Sequence, residues 1–357
     1  MALEKIKQGW HNITHRKKAQ AYGDSGDSES TARWGWLLLP IVLLGLALVV
    51  LGCYWSFTPT LFNVSARTEA ALVEYERKSV VGAATTVSLI TVADTLLNKP
   101  GGYLSNDVTP PSLWLDNMPH WEYGVIIQVR DMSKAMREAF SRSQSQSLED
   151  ENLATAESRF NFNNDSWLFP ATEKQYREGI THLNRYLQRL ADPADKNAQF
   201  FARADNLRYW LSTVETRLGN LSQRLSASVG QQRINTDLAG DSVASQATPA
   251  PGDDFVKTPW LEIDDIYFEA RGSAWALIHF LRAVEHDFAD VLEKKNALVS
   301  LRQIIRELEA TQHRIHSPMI LNGSGFGLWA NHSLVMASYI SRANAAIIDL
   351  RELLAQG

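Results

Sequence analysis

Hydrophobic positions along the chain form one long uncharged run, followed by segments with helical periodicity. The run spans Trp34–Phe57, 24 residues without a charge. At about 1.5 Å rise per residue it makes a helix about 36 Å long, enough to cross the hydrocarbon core of a bilayer. Trp34 and Trp36 mark one end, and Tyr54 and Trp55 mark the other, as aromatic residues do at membrane interfaces. We expect a transmembrane helix; the alternative is a buried core helix, which seldom runs this long without charge.

The charges that flank this run predict its orientation. Residues 1–33 carry six basic side chains, whereas only Arg67, Arg77 and Lys78 are basic in the 21 residues after the run. The positive-inside rule therefore places residues 1–33, a basic tail and tether, in the cytoplasm. Residues 58–357 would then lie outside the cytoplasm, anchored to the membrane by a single pass; in a Gram-negative cell that is the periplasmic side of the inner membrane.

The same stretch also allows a second interpretation, a lipoprotein signal. Val50-Leu51-Gly52-Cys53 resembles a lipobox, in which the cysteine becomes the lipidated N-terminus. The long leading segment, the length of the apolar run and the bulky residues Tyr54 and Trp55 after Cys53 weigh against it. Both interpretations predict an exported domain held at a lipid bilayer.

After residue 58 the pattern is helical throughout, so the fold class that we predict is all-α, a bundle of long, coiled-coil-like helices. The strongest signal is a strict 4-3 repeat over four heptads, which predicts a long helix packed against partner helices. It is carried by Phe200, Ala204, Leu207, Leu211, Val214, Leu218, Leu221, Leu225 and Ser228. Residues 230–259 lose this pattern, and we interpret them as a flexible loop between a first part, 58–229, and a second part, 260–357, which packs with the first.

Weaker patterns give further expectations about the helices. A seam from Val73 to Leu97 predicts one helix, and Trp260 to His316 predicts one long helix or a broken pair. Thr172 with Gln175 predicts a capping box, and Asp192-Pro193 predicts the start of the heptad helix. The Asn-rich stretch 156–169 is expected to be irregular.

The net charge of the exported part limits which partners we expect, and its lack of cysteine limits its chemistry. The whole chain has 35 basic and 40 acidic residues, and residues 58–357 keep 29 and 36 of them, a net charge of −7. An acidic domain argues against nucleic acid and against anionic lipid as its partners. The one cysteine, Cys53, lies in the apolar run, so the exported part has neither a disulfide nor a thiol nucleophile.

Two blocks of sequence resemble a known family. They are GGYLSNDVTPPS with LDNMPHWEYG, within residues 101–124, and ILNGSGFGLWANHSLVMASYISRANAAIIDLREL, within residues 320–353. Both are similar to a family of uncharacterised bacterial membrane proteins known only as a domain of unknown function. The resemblance covers most of the chain after the apolar run and implies a bacterial origin, but no activity, cofactor or binding residue.

One polar stripe is the candidate for chemistry. Its spacing of three and four residues places its members on one face of a continuous helix. They are Glu262, Asp265, Glu269, Gly272, Ala276, His279, Ala283, His286 and Asp290. Of these, Glu262, Asp265, Glu269, His279 and His286 are the candidate ligands. An acidic and imidazole groove would bind a cation or perform acid–base work. The alternative is a solvated face whose small residues let another helix cross. His279 and His286 are about 10.5 Å apart along the axis, too far to chelate one ion alone.

These observations leave three functional hypotheses open. The first is a membrane-anchored scaffold or regulatory interaction protein of the cell envelope, with a protein partner or self-association through its coiled-coil seams. The second is a metal-dependent envelope enzyme that uses residues 262–290. The third is a membrane-anchored sensor, which is disfavoured because the 33-residue tail has no output domain. Known catalytic motifs are absent from the sequence, and no catalytic residue or cofactor is assigned.

Overall fold

The computed structural model describes residues 28–76, 80–143, 148–233, 254–317, 319–325 and 327–356. For 28–38, 232–233 and 254 it describes the backbone alone, so the side chains of Trp34 and Trp36 lie outside the described residues. Residues up to Cys53 and residues from Tyr54 onward form separate units.

The first unit contributes helix α1, Ser28–Trp55, which carries Pro40 in its interior. From Leu39 to Leu51 its large apolar side chains are exposed, except for the half-buried Leu48. Cys53 is also exposed. Among the described residues, no helix combines the length and the hydropathy of a membrane span.

The second unit is built from helices, as the sequence predicts. They are α2 Val64–Glu74, α3 Ala83–Asn98, α4 Asn117–Ala135, α5 Glu151–Phe160, α6 Thr172–Ala191, α7 Ala204–Ser226, α8 Ile263–Asp287, α9 Ala289–Lys294, α10 Leu298–Ala310 and α11 His332–Ala355. Two three-residue strands, β1 Gln231–Arg233 and β2 Asp254–Val256, pair antiparallel with Gln232 opposite Phe255. These strands lie within the segment predicted to be a patternless loop, whose residues 234–253 lie outside the described residues.

Helix α8 occupies the centre of this unit. Of its 25 residues 18 are buried, and it packs against α4, α3 and α10. The alternative of a solvated face is therefore wrong for the middle of the stripe, since Gly272, Ala276 and His279 are all buried. Glycine and alanine at these positions do let another helix cross, as that alternative also proposed.

The crossing of α4 and α8 is a backbone contact. A Cβ atom on Gly272 would lie 2.0 Å from the carbonyl oxygen of Trp121, and one on Gly124 would lie 2.1 Å from that of Glu269. The hydroxyl of Ser273 donates to the carbonyl oxygen of Gly124 across the same contact, at 3.1 Å. Two helices approach this closely only where neither carries a side chain between them.

The heptad helix finds its partner within the chain. The apolar seam of α7, from Leu207 to Leu225, is buried, and α7 packs along α11. The facing seam of α11, from Met336 to Leu354, is buried as well. Helices from both sides of residues 230–259 thus share one core, and this seam is covered without a second copy of the chain.

Several weaker expectations about the helices are wrong. The seam from Val73 to Leu97 is broken, because α2 ends at Glu74 and α3 begins only after Gly82, which has a φ of 89°. The segment 260–316 forms three helices rather than one or two, and the stretch expected to be irregular contains the end of α5.

A helix does begin at Thr172, but the predicted cap of that helix and the predicted start of α7 are wrong. Thr172 is the first helical residue of α6 rather than its cap, and its hydroxyl donates to the carbonyl oxygens of Asn163 and Ser166. Helix α7 begins at Ala204, well after Asp192-Pro193.

The glycine crossing yields a stability prediction. Gly272→Ala must push α4 away from α8, so we expect the free energy of unfolding to fall by about 3 kcal/mol, as overpacking of a rigid contact does. Urea unfolding of the detergent-solubilised chain, followed by circular dichroism, measures this change.

Gly219→Ala is the matched control. Gly219 also lies inside a helix, but the nearest atom to an added Cβ is Nδ2 of Asn344, at 3.6 Å. Removing a glycine from an open helix position should raise the free energy of unfolding by about 0.5–1 kcal/mol. A Gly272→Ala protein as stable as the Gly219→Ala protein would show that the crossing tolerates a side chain.

Candidate functional site

A cleft of about 500 Å³ opens where the first turns of α4 and α8 meet the last turn of α7. Three members of the predicted stripe, Glu262, Asp265 and Glu269, lie in its wall. The complete lining is Ser105, Pro119, His120, Tyr123, Asn164, Arg224, Glu262, Asp265, Ile266 and Glu269. We call this feature the acidic cleft.

The helix crossing brings the imidazole of His120 to the stripe. Helices α4 and α8 start at the same end of the unit, so residues in their first turns face each other. Nε2 of His120 lies 3.2 Å from Oδ1 of Asp265. When the imidazole is protonated, the two form an ion pair. His120 lies in PHWEYG, part of the first block that resembles the family, and no spacing in the sequence connects it to the stripe.

Asp265 has the electrostatics of a proton-accepting group. Burial raises the pKa of its carboxyl group; His120 opposes this rise, and the carboxylates of Asp264, Asp116 and Glu262 add to it. A carboxyl group with a raised pKa beside a half-exposed imidazole can exchange a proton or bind a cation. This pair is the chemically most capable part of the acidic cleft.

Glu269, by contrast, is already paired. Arg224 of α7 holds it with two parallel hydrogen bonds, each 2.7 Å long. The hydrogen bond to Glu269 raises the pKa of the Arg224 guanidinium. A fork-to-fork pair of this kind fixes both side chains, so Glu269 serves to connect α8 to α7.

His279 lies away from the acidic cleft, in the core. Its Nε2 accepts the backbone N–H of Phe62 at 3.1 Å, and its Nδ1 lies 2.7 Å from the carbonyl oxygen of Trp275. Since Nε2 accepts, Nδ1 carries the proton and donates. The Phe62 ring stacks on the imidazole with ring centroids 3.8 Å apart. Both nitrogens are occupied, so His279 fastens the segment before α2 to α8 and has no nitrogen left for a metal.

His286 is separated from the acidic cleft as well. It lies near the other end of α8, half exposed, with Nδ1 3.7 Å from Oδ1 of Asp287. The neighbouring Asp287 carboxylate raises the pKa of His286. The stripe therefore divides into a cleft portion, residues 262–269, and two histidines with separate surroundings.

A buried ion pair lies behind the acidic cleft. Nζ of Lys99 is 2.6 Å from Oε1 of Glu122, and both side chains are fully buried. Glu122 also accepts the backbone N–H groups of Leu104 and Ser105, while Lys99 donates to the carbonyl oxygen of Gly102. The pair thus holds the loop that carries Ser105 against the start of α4.

A second cavity, of about 530 Å³, lies beside the segment Ser56–Leu61. Arg271 in its wall is buried and donates to the carbonyl oxygens of Thr311, Gln312 and His313, just after the end of α10. A cation at the C-terminal carbonyls of a helix is favourably placed. Within the described residues, no group of three or more His, Cys, Asp or Glu side chains could hold a metal ion.

The burial of His279 predicts a dependence of stability on pH. Desolvation lowers the pKa of His279 to about 3, against 6.5 in the unfolded chain. Between these values the unfolded state binds the proton, so stability that is present above pH 6.5 is lost as the pH falls. The loss is about 1.4 kcal/mol for each pH unit below about 6.5.

His279→Gln isolates this contribution. The variant should unfold more easily than the unchanged chain at pH 7.5, yet lose less stability between pH 7.5 and pH 5, as measured by urea unfolding. His316→Gln is the control, since His316 is exposed. Equal losses in the unchanged and His279→Gln proteins would contradict the role of this histidine.

Comparison with known proteins agrees with the resemblance found in the two sequence blocks. Residues 28–357 match the model of a family described as "Uncharacterized protein conserved in bacteria (DUF2333)". No curated protein and no solved structure matches the chain. Because the match extends over nearly the whole sequence, the chain belongs to this bacterial family.

Proposed function

We propose that this protein is a scaffold or regulatory interaction protein of the bacterial envelope, anchored in the inner membrane by α1 with its helical unit in the periplasm. The observation that carries the proposal is the surface of α1. Its described side chains from Leu39 to Leu51 are apolar on every side, and all except the half-buried Leu48 are exposed. A helix that is hydrophobic all round needs an apolar environment, and a bilayer supplies one.

The state of the ionisable stripe supports an interaction protein over an enzyme. Glu269 is held by Arg224, and His279 is held by Phe62 and Trp275. These contacts connect helices to each other and leave Asp265 and His120 as the reactive pair of the acidic cleft. When most polar side chains of a unit bind other parts of the same unit, its helices are held rigidly. Such a unit is suited to binding a partner protein through a fixed surface.

Topology is tested by cysteine labelling in cells. With Cys53→Ser as background, Val299→Cys reports on the helical unit and Ala21→Cys reports on the tail. A membrane-impermeant maleimide should label Val299→Cys in cells with a permeabilised outer membrane, and Ala21→Cys only after lysis. Labelling of Ala21→Cys alone in unlysed cells would reverse the orientation, and labelling of neither would place the helical unit in the cytoplasm.

The interaction role is tested by crosslinking in cells, followed by identification of the captured proteins. We expect a defined envelope protein to be recovered with the full chain, and to be absent when an unrelated anchored protein is crosslinked in the same way. Recovery of nothing beyond the chain itself would contradict a scaffold role for other proteins.

The acidic cleft supports a second candidate, a metal-dependent enzyme, through the raised pKa of Asp265 beside His120. This candidate predicts near-stoichiometric metal in the purified full chain, lost in Asp265→Asn. Elemental analysis measures it, with Glu285→Gln, outside the acidic cleft, as the control. Metal-free protein would remove the metal-dependent candidate.

A further inference from the structure

The chain enters the helical unit at Tyr54. We call the end of the unit where this residue lies the Tyr54 end, and several loops between helices lie there. Trp55 packs beside Gly101, where an added Cβ would lie 2.8 Å from the Trp55 ring. Leu61 lines the second cavity together with Phe268 and Arg271 of the first part of α8. Helices α4, α6, α8 and α11 begin at this end, and α3, α7 and α10 finish there.

The exposed tryptophans of the helical unit all lie at the Tyr54 end. Among its described residues these are Trp114, Trp167, Trp260 and Trp329, with 56–73% of each side chain exposed. They come from four separate loops. The other tryptophans of this unit are buried or half-buried, and Trp121, Trp210 and Trp275 are fully enclosed in the core.

Hydrogen bonds hold the loop that carries Trp329 in place. Asn331 donates to Asn322 at 2.9 Å and to the carbonyl oxygen of Gly323, and Asn322 donates to the carbonyl oxygen of Ser228 at the end of α7. These bonds close the loop whose tip presents Leu328 and Trp329 to solvent.

The loops that carry Trp167 and Trp260 have comparable supports. The amide of Asn106 donates to the carbonyl oxygen of Ser166, beside Trp167, at 2.9 Å. The N–H of Thr258, just before Trp260, donates to the carbonyl oxygen of Ala227. The exposure of the tryptophans is therefore a property of ordered loops.

The opposite end of the helical unit exposes a different type of apolar residue. Its exposed apolar side chains include Val81, Leu148 and Val299, and among the described residues it exposes no tryptophan. Aliphatic side chains scattered singly over a surface are ordinary. Four tryptophans on separate loops at a single end are not, and amphipathic tryptophan is the residue that membrane interfaces favour.

We propose that these four tryptophans seat the Tyr54 end on the interface of the membrane that holds the anchor. The inference rests on the proposed function, since it takes α1 to span that membrane. The chain passes from α1 into this end of the unit, so the loops lie near the point of attachment. A bilayer is therefore the surface that the tryptophans reach first.

The charges at the Tyr54 end indicate which type of lipid headgroup it binds. The exposed charged side chains on these loops include the carboxylates of Asp116, Asp165 and Glu262 and the cations Lys257 and Arg314. They give no cluster of basic residues of the kind that attracts anionic lipid. Seating should therefore occur on zwitterionic lipid and should be insensitive to salt.

The test uses the full chain in phosphatidylcholine vesicles. In a Cys53→Ser background, Leu328→Cys carries an environment-sensitive fluorophore at the tip of a tryptophan loop. Val299→Cys carries the same fluorophore at the other end, as the matched control. We expect emission at shorter wavelength and several-fold weaker quenching by iodide for the first label than for the second, unchanged between low and high salt.

Three results would overturn the proposal, each in a distinguishable way. If the protein floats with the vesicles and both labels are equally quenched, the seating is wrong and the anchor stands. If the protein does not float with the vesicles, the anchor itself is wrong. If the first label is shielded only at high protein-to-lipid ratios, another copy of the chain covers the Tyr54 end.

A further variant connects the shielding to the tryptophans themselves. Trp260→Gln with Trp329→Gln, in the Leu328→Cys background, should restore iodide quenching toward the value of the Val299→Cys control. Both side chains are exposed, so circular dichroism should be unchanged. Full shielding in this variant would show that the tryptophans do not hold the loop at the lipid.

Discussion

The architecture depends on the contact of two helix backbones at Gly124 and Gly272. At this contact α4 lies against the central helix α8 without intervening side chains. It therefore fixes which residues of α4 face which residues of α8 on both sides of the contact. His120 meets Asp265 one turn before it, and the rings of Trp121 and Trp275 pack together with centroids 5.3 Å apart. The acidic cleft and the core are therefore two results of one helix crossing.

The buried pair of Lys99 and Glu122 is the second constraint. Removing two charges from water is costly, and mutual attraction offsets this only when the remaining polar atoms also have partners. Here the carboxylate accepts from Leu104 and Ser105, and the ammonium group donates to Gly102. The pair specifies the path of a loop that has no periodicity of its own. Burial raises the pKa of Glu122, while Lys99 and the two residues of the loop oppose that rise.

Much of the helical content could be predicted from sequence, because apolar seams such as that of α7 are local. The partner of that seam could not, since a heptad does not state whether the facing helix is in the same chain. Helix α5 was missed because its buried positions, Leu153, Ala156 and Phe160, begin before the Asn-rich stretch. The start of α7 was misplaced because Asp192-Pro193 has the composition of a helix start but forms a turn.

The candidate site shows the same division between local and distant information. Spacing correctly placed Glu262, Asp265 and Glu269 together, since they share one helix face. It gave no sign of Arg224 or His120, which reach that face from other helices, and no sign that His279 would be enclosed. Glycine and alanine in a polar stripe are as compatible with a helix contact as with solvent, and only the neighbouring helix distinguishes the two.

The contact between His279 and Phe62 has a mechanical consequence. A loose linker would absorb any pull on the chain at Tyr54 before it reached the bundle. Here Phe62, eight residues after Tyr54, is held on α8 by ring stacking and a hydrogen bond with His279. Within the helical unit, tension on this segment is therefore borne by α8 and, through Glu269 and Arg224, by α7.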